Sequence, residues 1–237
     1  MNKLNNLISI VVPVYNESDS IRLLINEIIN VMKSHQLLFE LIIVNDGSVD
    51  STSNVLENLS LEIKQLTVIN LRKNYGQTAA LAAGFDHSNG DIIVTLDGDL
   101  QNDPNDIPKL ITNINEGYDL ICGWRFQRKD KLLNRRIPSQ IANRLIGNVT
   151  GIHLHDYGCS LKAFKHEIIK DIKLYGELHR FLPVLANIEG AKIKEIKVNH
   201  RSRKYGQSKY GIDRTFRVLM DLLTVWFMNK FLTRPMY

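Results

Sequence analysis

The chain has 237 residues, of which 44% are hydrophobic and 8% aromatic. That is enough apolar material for a packed core, and it excludes a disordered, collagen-like or disulfide-stapled miniprotein class. The formal charge of +5 is unevenly spread: residues 1–120 hold 7 Lys+Arg against 16 Asp+Glu, and residues 121–237 hold 23 against 9. An acidic half followed by a basic half points to a carboxylate-held cation on one side and an anionic partner on the other.

The first apolar run, Leu7–Val14, contains Pro13 and is followed by Glu17 and Asp19 instead of a small-residue cleavage site, so it reads as a buried strand, Ile8–Val14, and not a signal peptide. Strands are then expected at Glu40–Asn45, Leu66–Leu71, Asp91–Leu96 and Asp119–Gly123. They alternate with helices near Ser18–Ser34, Ser51–Leu59, Gln77–His87 and Pro104–Asn115. Ser18 ahead of the Ile21–Leu24 run and Asp103 before Pro104 are the expected caps. This alternation predicts an α/β fold with a mostly parallel central sheet flanked by helices.

Further on, the pattern predicts a helix at Ser139–Gly147, a loop at Gly151–Gly158, a helix at His179–Asn187 and a strand at Lys192–Val198. A polar segment, Asn199–Tyr210, precedes a long helix from Ile212 to Leu232. With no repeat, linker or low-complexity tract, the expectation is one domain over residues 1–210 and a helical appendage over 211–237. The two cysteines, Cys122 and Cys159, have neither CxxC spacing nor further partners, which fits a reducing setting with no zinc site or disulfide framework.

In open α/β sheets the ligand sits where strands end, so the carboxylates that follow strands matter most. One strand runs into Asn45-Asp46-Gly47-Ser48, and another into Asp97-Gly98-Asp99-Leu100-Gln101. Two acids separated by a glycine, whose backbone freedom is expected to aim both at one point, suit a Mg²⁺ ion that takes only one or two protein carboxylates. Taken alone, the same tripeptide also reads as a solvated turn.

Four strand ends occur as an ordered series: Val12-Pro13-Val14-Tyr15-Asn16-Glu17, Asn45-Asp46-Gly47-Ser48, Leu71-Arg72-Lys73-Asn74-Tyr75-Gly76-Gln77 and Leu96-Asp97-Gly98-Asp99-Leu100-Gln101. The series resembles the inverting glycosyltransferases of family two, whose GT-A fold is Rossmann-like. Asp156-Tyr157-Gly158-Cys159-Ser160-Leu161-Lys162, Glu177-Leu178-His179-Arg180-Phe181 and the run His200–Tyr210 more narrowly resemble the polyprenyl-phosphate glycosyltransferases. That branch includes dolichyl-phosphate mannose synthases and bacterial undecaprenyl-phosphate glucosyltransferases.

The resemblance implies that Pro13, Tyr15 and Glu17 line a nucleoside pocket, that Asp46 bonds the base, and that Arg72, Asn74 and Gly76 belong to the donor site. It implies a Mg²⁺ or Mn²⁺ cofactor on Asp97 and Asp99 with Gln101 as an auxiliary ligand. Arg125, Arg135, Ser139 and Arg203 match positions that hold phosphates, a task suited to the planar guanidinium fork. Read without the resemblance, the strand-end residues are also ordinary packing, the third motif a helix cap, and each arginine a solvated charge. Asp156 falls where many family-two enzymes place a base. A phosphate monoester with its second pKa near ~6 is nucleophilic without one, so Asp156 either serves as base or orients an arginine or the sugar. The segment Asn199–Tyr210 is expected to close over the donor diphosphate.

On the last helix, Arg214, Arg217, Asp221 and Thr224 fall on one narrow stripe, and the remainder is largely apolar, with Trp226 beside Lys230 and Arg234. Either the helix lies in a bilayer interface or it docks on the domain. Many relatives continue into transmembrane helices after this point, and no stretch here reaches the ~20 apolar residues of a span. Contact within this chain is therefore expected to be peripheral, at the cytoplasmic face of the membrane, with self-association as a further means of attachment.

The expected reaction is transfer of a hexose, with inversion, from a nucleotide-diphosphate sugar to a polyprenyl phosphate, with UDP-glucose favoured and GDP-mannose the alternative donor. A saccharide-hydroxyl acceptor and a non-catalytic nucleotide-sugar-binding membrane module are the competing readings. The basic residues lack the interleaved aromatic platform of a nucleic-acid binder, and no such partner is expected.

Overall fold

The computed structural model describes residues 6–126, 137–203 and 213–231. In chain order it forms β1 (Ile8–Val14), α1 (Ile21–Ser34), β2 (Phe39–Asn45), α2 (Thr52–Glu62), β3 (Leu66–Asn70), α3 (Gln77–Asp86), β4 (Ile92–Thr95), α4 (Ile107–Asn115) and β5 (Leu120–Arg125). There follow α5 (Ile137–Thr150), β6 (Lys162–Lys165), α6 (His166–Asp171), α7 (Leu182–Ile188), β7 (Ile193–Val198) and α8 (Asp213–Phe231).

The seven strands form one sheet in the order β3-β2-β1-β4-β6-β5-β7. β1 pairs in parallel with β2 and β4, β2 with β3, and β5 with β7, as the βαβ pattern requires. β6 is antiparallel to both of its neighbours, β4 and β5. Sequence reading missed β6 and α6 because β6 is four residues long with lysine at both ends, and neither its length nor its pattern resembles the longer apolar runs.

Strand alternation divides the core. Ile8, Ile10, Val12 and Val14 of β1 pack with α1, α2 and α4 on one face, while Val11 joins Ile42, Val44, Ala80 and Phe85 on the other. The second face is tight: a Cβ at Gly84 of α3 would lie 2.3 Å from Val11 Cγ1, so only glycine lets this helix approach the sheet. A third cluster, including Ile146, Phe181, Leu222 and Val225, joins α5, α7 and α8.

The capping expectations fare unequally. Asp103 accepts a hydrogen bond from the Asn105 amide at 3.1 Å and caps the short turn before α4. The N-cap of α1 is Ser20, not Ser18; its hydroxyl donates to Glu17 Oε2 at 2.8 Å, and no side chain caps the helix. α7 begins at Leu182, because residues 178–180 form a separate short 3-10 turn. No helix among the described residues is long and apolar enough to cross a membrane.

Candidate active site

The strand order reverses at β1 and β4, and the crevice outside their carboxyl ends is where an open sheet binds its ligand. Pro13, Tyr15 and Glu17 leave β1 at this crevice, half-buried. Asn16 sits in the left-handed region, at φ 54°. Its amide donates to Ser48 Oγ at 2.9 Å and its side-chain oxygen accepts from the Val49 amide at 2.9 Å, which ties the first and second motifs together.

Asp46 is buried, and its carboxylate accepts the Tyr75 amide at 2.7 Å and the Gly76 amide at 2.9 Å. Burial pushes its pKa up, and the two N–H donors oppose that shift. Asp46 thus fastens the third motif to the second. The approach requires Gly47, at φ +65°, where a Cβ would meet the Lys73 carbonyl carbon at 2.3 Å. Arg72 and Asn74 on the fastened loop are exposed, and Gly76 is the N-cap residue of α3.

After β4, Asp97 Oδ1 accepts from Gln77 Nε2 at 2.7 Å. Asp99 is 8% exposed; its Oδ1 accepts the Gln101 amide at 3.1 Å and its Oδ2 receives Arg203 Nη2 at 2.5 Å. Burial, and then repulsion from Asp97, raise the Asp99 pKa to about 6, against the opposing pull of the Gln101 amide and Arg203. The expectation for Gly98 needs correcting. It does not adopt a left-handed conformation; it is glycine because a Cβ would lie 2.7 Å from Val14 Cγ1. The left-handed residue of this loop is the buried Leu100, at φ 62°, which turns Gln101 back towards Asp99.

Arg125, at the end of β5, forks onto Asp156, with Nε 2.7 Å from Oδ2 and Nη2 2.8 Å from Oδ1. Burial works against the Arg125 charge, but the Asp156 carboxylate outweighs it and holds the guanidinium pKa above its ordinary value. The Asp156 amide donates to Glu195 Oε1 at 2.9 Å. Arg135 lies outside the described residues, as does the 204–210 portion of the expected closing segment; Ser139 lies in the first turn of α5, with its side chain outside the description.

The chain leaving β7 crosses the metal motif. Asn102 and His200 form an isolated bridge, the Arg201 amide donates to the Gln101 carbonyl at 2.8 Å, and the Arg201 guanidinium joins Glu27 at 2.6 Å and Asp103 at 2.7 Å. Arg203, expected at a phosphate, stands here on Asp99.

Beside Asp97 a cavity is lined by residues that include Gln77, Thr95, Gly158, Lys162, His179 and Arg180. Gln77, Asn102, Lys162 and Arg201 had no assigned role in the sequence. A lysine set among Leu161, Ala163 and Phe164 was the available signal for Lys162. Asn102 accepts both the Asp97 amide at 3.3 Å and Ser160 Oγ at 2.8 Å, a junction between distant segments with no local signature.

Among the described residues there is no group of three or more His, Cys, Asp and Glu that could hold a metal alone. Asp97 and Asp99 nevertheless fit a hard divalent cation: the buried Asp99 is repelled by the half-buried Asp97 carboxylate, and such an ion accepts one or two protein carboxylates with substrate and water oxygens as the rest.

Comparison with known proteins agrees with this geometry. The profile of Glycosyl transferase family 2 matches residues 9–173. A dodecaprenyl-phosphate galacturonate synthase of Rhizobium johnstonii is 47% identical over 96% of this chain and 69% of its own length. An undecaprenyl-phosphate 4-deoxy-4-formamido-L-arabinose transferase of Shewanella sediminis is 40% identical over 92% of this chain and 66% of its own length, so the chain spans about two-thirds of these relatives. Among solved structures, mannosyl-3-phosphoglycerate synthase of Rubrobacter xylanophilus superposes with a TM-score of 0.75 at 14% identity, covering 94% of this chain and 74% of that one. Glucosyl-3-phosphoglycerate synthase of Mycobacterium tuberculosis, in complex with Mn²⁺, uridine diphosphate and phosphoglyceric acid, gives 0.72 at 18% identity, covering 94% and 78%. With the four strand-end motifs gathered at one crevice and the family profile running from β1 past β6, the chain belongs to glycosyl transferase family 2.

Proposed function

We propose that this chain transfers a sugar, with inversion, from a nucleoside-diphosphate sugar to the phosphate of a polyprenyl lipid. The observation that carries the acceptor is the Arg125–Asp156 pair. Both Asp156 oxygens are held by one guanidinium at 2.7 and 2.8 Å, so the residue placed where a base would stand is an arginine-orienting carboxylate. An acceptor phosphate, with its second pKa near ~6, requires no base, whereas a saccharide hydroxyl does. The named activities of the Rhizobium and Shewanella relatives support a polyprenyl-phosphate acceptor.

In the reaction a phosphate oxygen of the lipid attacks the anomeric carbon as the bond from that carbon to the diphosphate oxygen breaks. The leaving group is the nucleoside diphosphate, and no proton is removed from the acceptor. Asp97 and Asp99, with Gln101 auxiliary, would hold Mg²⁺ or Mn²⁺, which supplies charge neutralisation for the leaving diphosphate. Arg125 orients the acceptor phosphate from a pre-set position. Arg135 and Ser139 are assigned to the same phosphate on the family pattern, and Pro13, Tyr15 and Glu17 to the nucleoside. Asp46 acts by holding the loop that carries Arg72, Asn74 and Gly76.

The sequence favoured UDP-glucose; relatives named for galacturonate and a formamido-arabinose support a modified sugar instead. Residues 1–210 are assigned to catalysis and 211–237 to a cytoplasmic membrane surface, on which copies of the chain could also associate.

The test is a transfer assay with purified protein, Mg²⁺, short-chain polyprenyl phosphate and radiolabelled UDP- and GDP-sugars. Label from at least one donor should enter the organic phase, and Asp99→Ala should abolish this. Label passing only to an added saccharide would overturn the acceptor assignment.

A further inference from the structure

Lys162 is 4% exposed. Its ammonium donates to the Cys159 carbonyl oxygen, and among the described residues no carboxylate stands within ion-pair distance of it. The neighbouring thiols provide no counter-charge: burial pushes Cys122 up to about 12 and Cys159 up to about 11, so both are neutral. A buried ammonium is tolerated when an anion completes its surroundings. Lys162 is a lining residue of the cavity beside Asp97, and Arg180 lines the same cavity.

The two basic residues are held at this cavity by the fold. Lys162 opens β6, the strand inserted between β4 and β5. Arg180 ends the short turn after Glu177, and that turn is pinned to the first turn of α3 by a 2.7 Å contact between His179 Nδ1 and Thr78 Oγ1. Asp97 lines the same cavity. The cavity therefore gathers a metal-motif carboxylate and two basic residues held by separate elements.

We propose that this cavity receives the sugar ring of the donor and that Lys162 and Arg180 bind a carboxylate carried on that ring, which makes the substrate a nucleoside-diphosphate hexuronate and not a neutral hexose. The inference rests on the sugar-transfer reading above and adds the chemical class of the sugar. Lys162 and Arg180 are specificity residues in this scheme: they touch the group that differs between substrates and take no part in bond cleavage. A carboxylate gains a charge-assisted hydrogen bond from each, whereas a hydroxymethyl group leaves the buried ammonium without its anion.

The experiment is titration calorimetry on the full chain with Mn²⁺ and no lipid, comparing UDP-galacturonate with UDP-galactose and UDP-glucuronate with UDP-glucose. Within each pair only the oxidation state of C6 differs. At least one uronate should bind about 10- to 100-fold more tightly than its neutral partner, the scale of one charge-assisted hydrogen bond. Arg180→Gln should bring that ratio close to one while the affinity for UDP itself is unchanged. Lys162→Met should do the same, and if it fails to fold, the half-buried Arg180 variant decides. Equal affinity for uronate and neutral sugar in both pairs, or a preference that survives Arg180→Gln, would overturn the proposal. Selective uronate binding without label transfer to lipid would uphold the sugar assignment and remove the acceptor assignment. Transfer of a neutral hexose to lipid, with no uronate preference in binding, would do the reverse.

Discussion

Asp99 joins the structural and chemical demands of the site in one side chain. Burial and the neighbouring Asp97 raise its pKa to about 6, so in the metal-free protein it takes up a proton well above the pH at which an exposed aspartate would. Only the ionised carboxylate is a ligand, so divalent-cation affinity should be constant above pH 7 and fall by about tenfold per unit below pH 6. Mn²⁺ binding followed by electron paramagnetic resonance between pH 5 and 8 checks this. An affinity flat down to pH 5 would contradict it. Asp97 and Asp99 were legible in the sequence because their chemistry sits in five consecutive residues at a strand end. The pairing of Arg125 with Asp156 joins residues 31 apart, and the composition of either segment carries no sign of it. The burial of Lys162 is likewise a property of the packed sheet and not of its own segment.

Among the elements, the segment after β7 has the largest consequence for the site. Arg203 occupies an oxygen of Asp99, and Arg201 holds the same segment to Asp103 and Glu27. Arg203 therefore acts as a cationic stand-in on a metal-motif carboxylate. Arg203→Ala should tighten Mn²⁺ binding to the nucleotide-free protein by about tenfold, the scale of one charge-assisted bond, while lowering transfer. Calorimetry with Mn²⁺ alone reads the first effect and the lipid assay the second. The close approach of α3 to β1 gives a different test: Gly84→Ala forces a Cβ against Val11 and should destabilise the fold by about 1–3 kcal/mol in denaturant unfolding. The parallel elements of the first half were legible because β1, β2 and β4 are apolar runs separated by helix-length segments, and β7 because its apolar residues stand out between charged ones. β6 was not, because its four residues carry lysine at both ends and it owes its place to the strands on either side.

For the whole molecule, α8 resolves both ways. Leu222 and Val225 pack into the cluster with α5 and α7, and Asp221 Oδ2 accepts the Glu177 amide at 3.2 Å, so the expected polar stripe turns inward at Asp221. The side chains of Arg214 and Arg217 lie outside the description. Met220, Leu223, Trp226 and Phe227 remain exposed on the docked helix, with Lys230 5.3 Å from the Trp226 ring centroid. We expect this face to enter a bilayer interface. Trp226→Glu with Phe227→Glu should weaken sedimentation with anionic vesicles by about tenfold or more, given roughly 1.5–3 kcal/mol for each large apolar side chain buried. Thermal stability should be little changed, because the cluster under α8 is left intact.

The placement of β6 also bears on how the chain reaches its native state. β3, β2, β1 and β4 are assembled from residues 8–95, a stretch of near neighbours in sequence. The far edge of β4 stays bare until residue 162 arrives from beyond α5, because the strand that covers it is made much later. Loop closure over that distance delays the pairing. During synthesis the emerging chain therefore holds a four-stranded half-sheet whose β4 edge is still unpaired, and the step that seals that edge is the same one that brings Lys162 and Asp156 to the crevice.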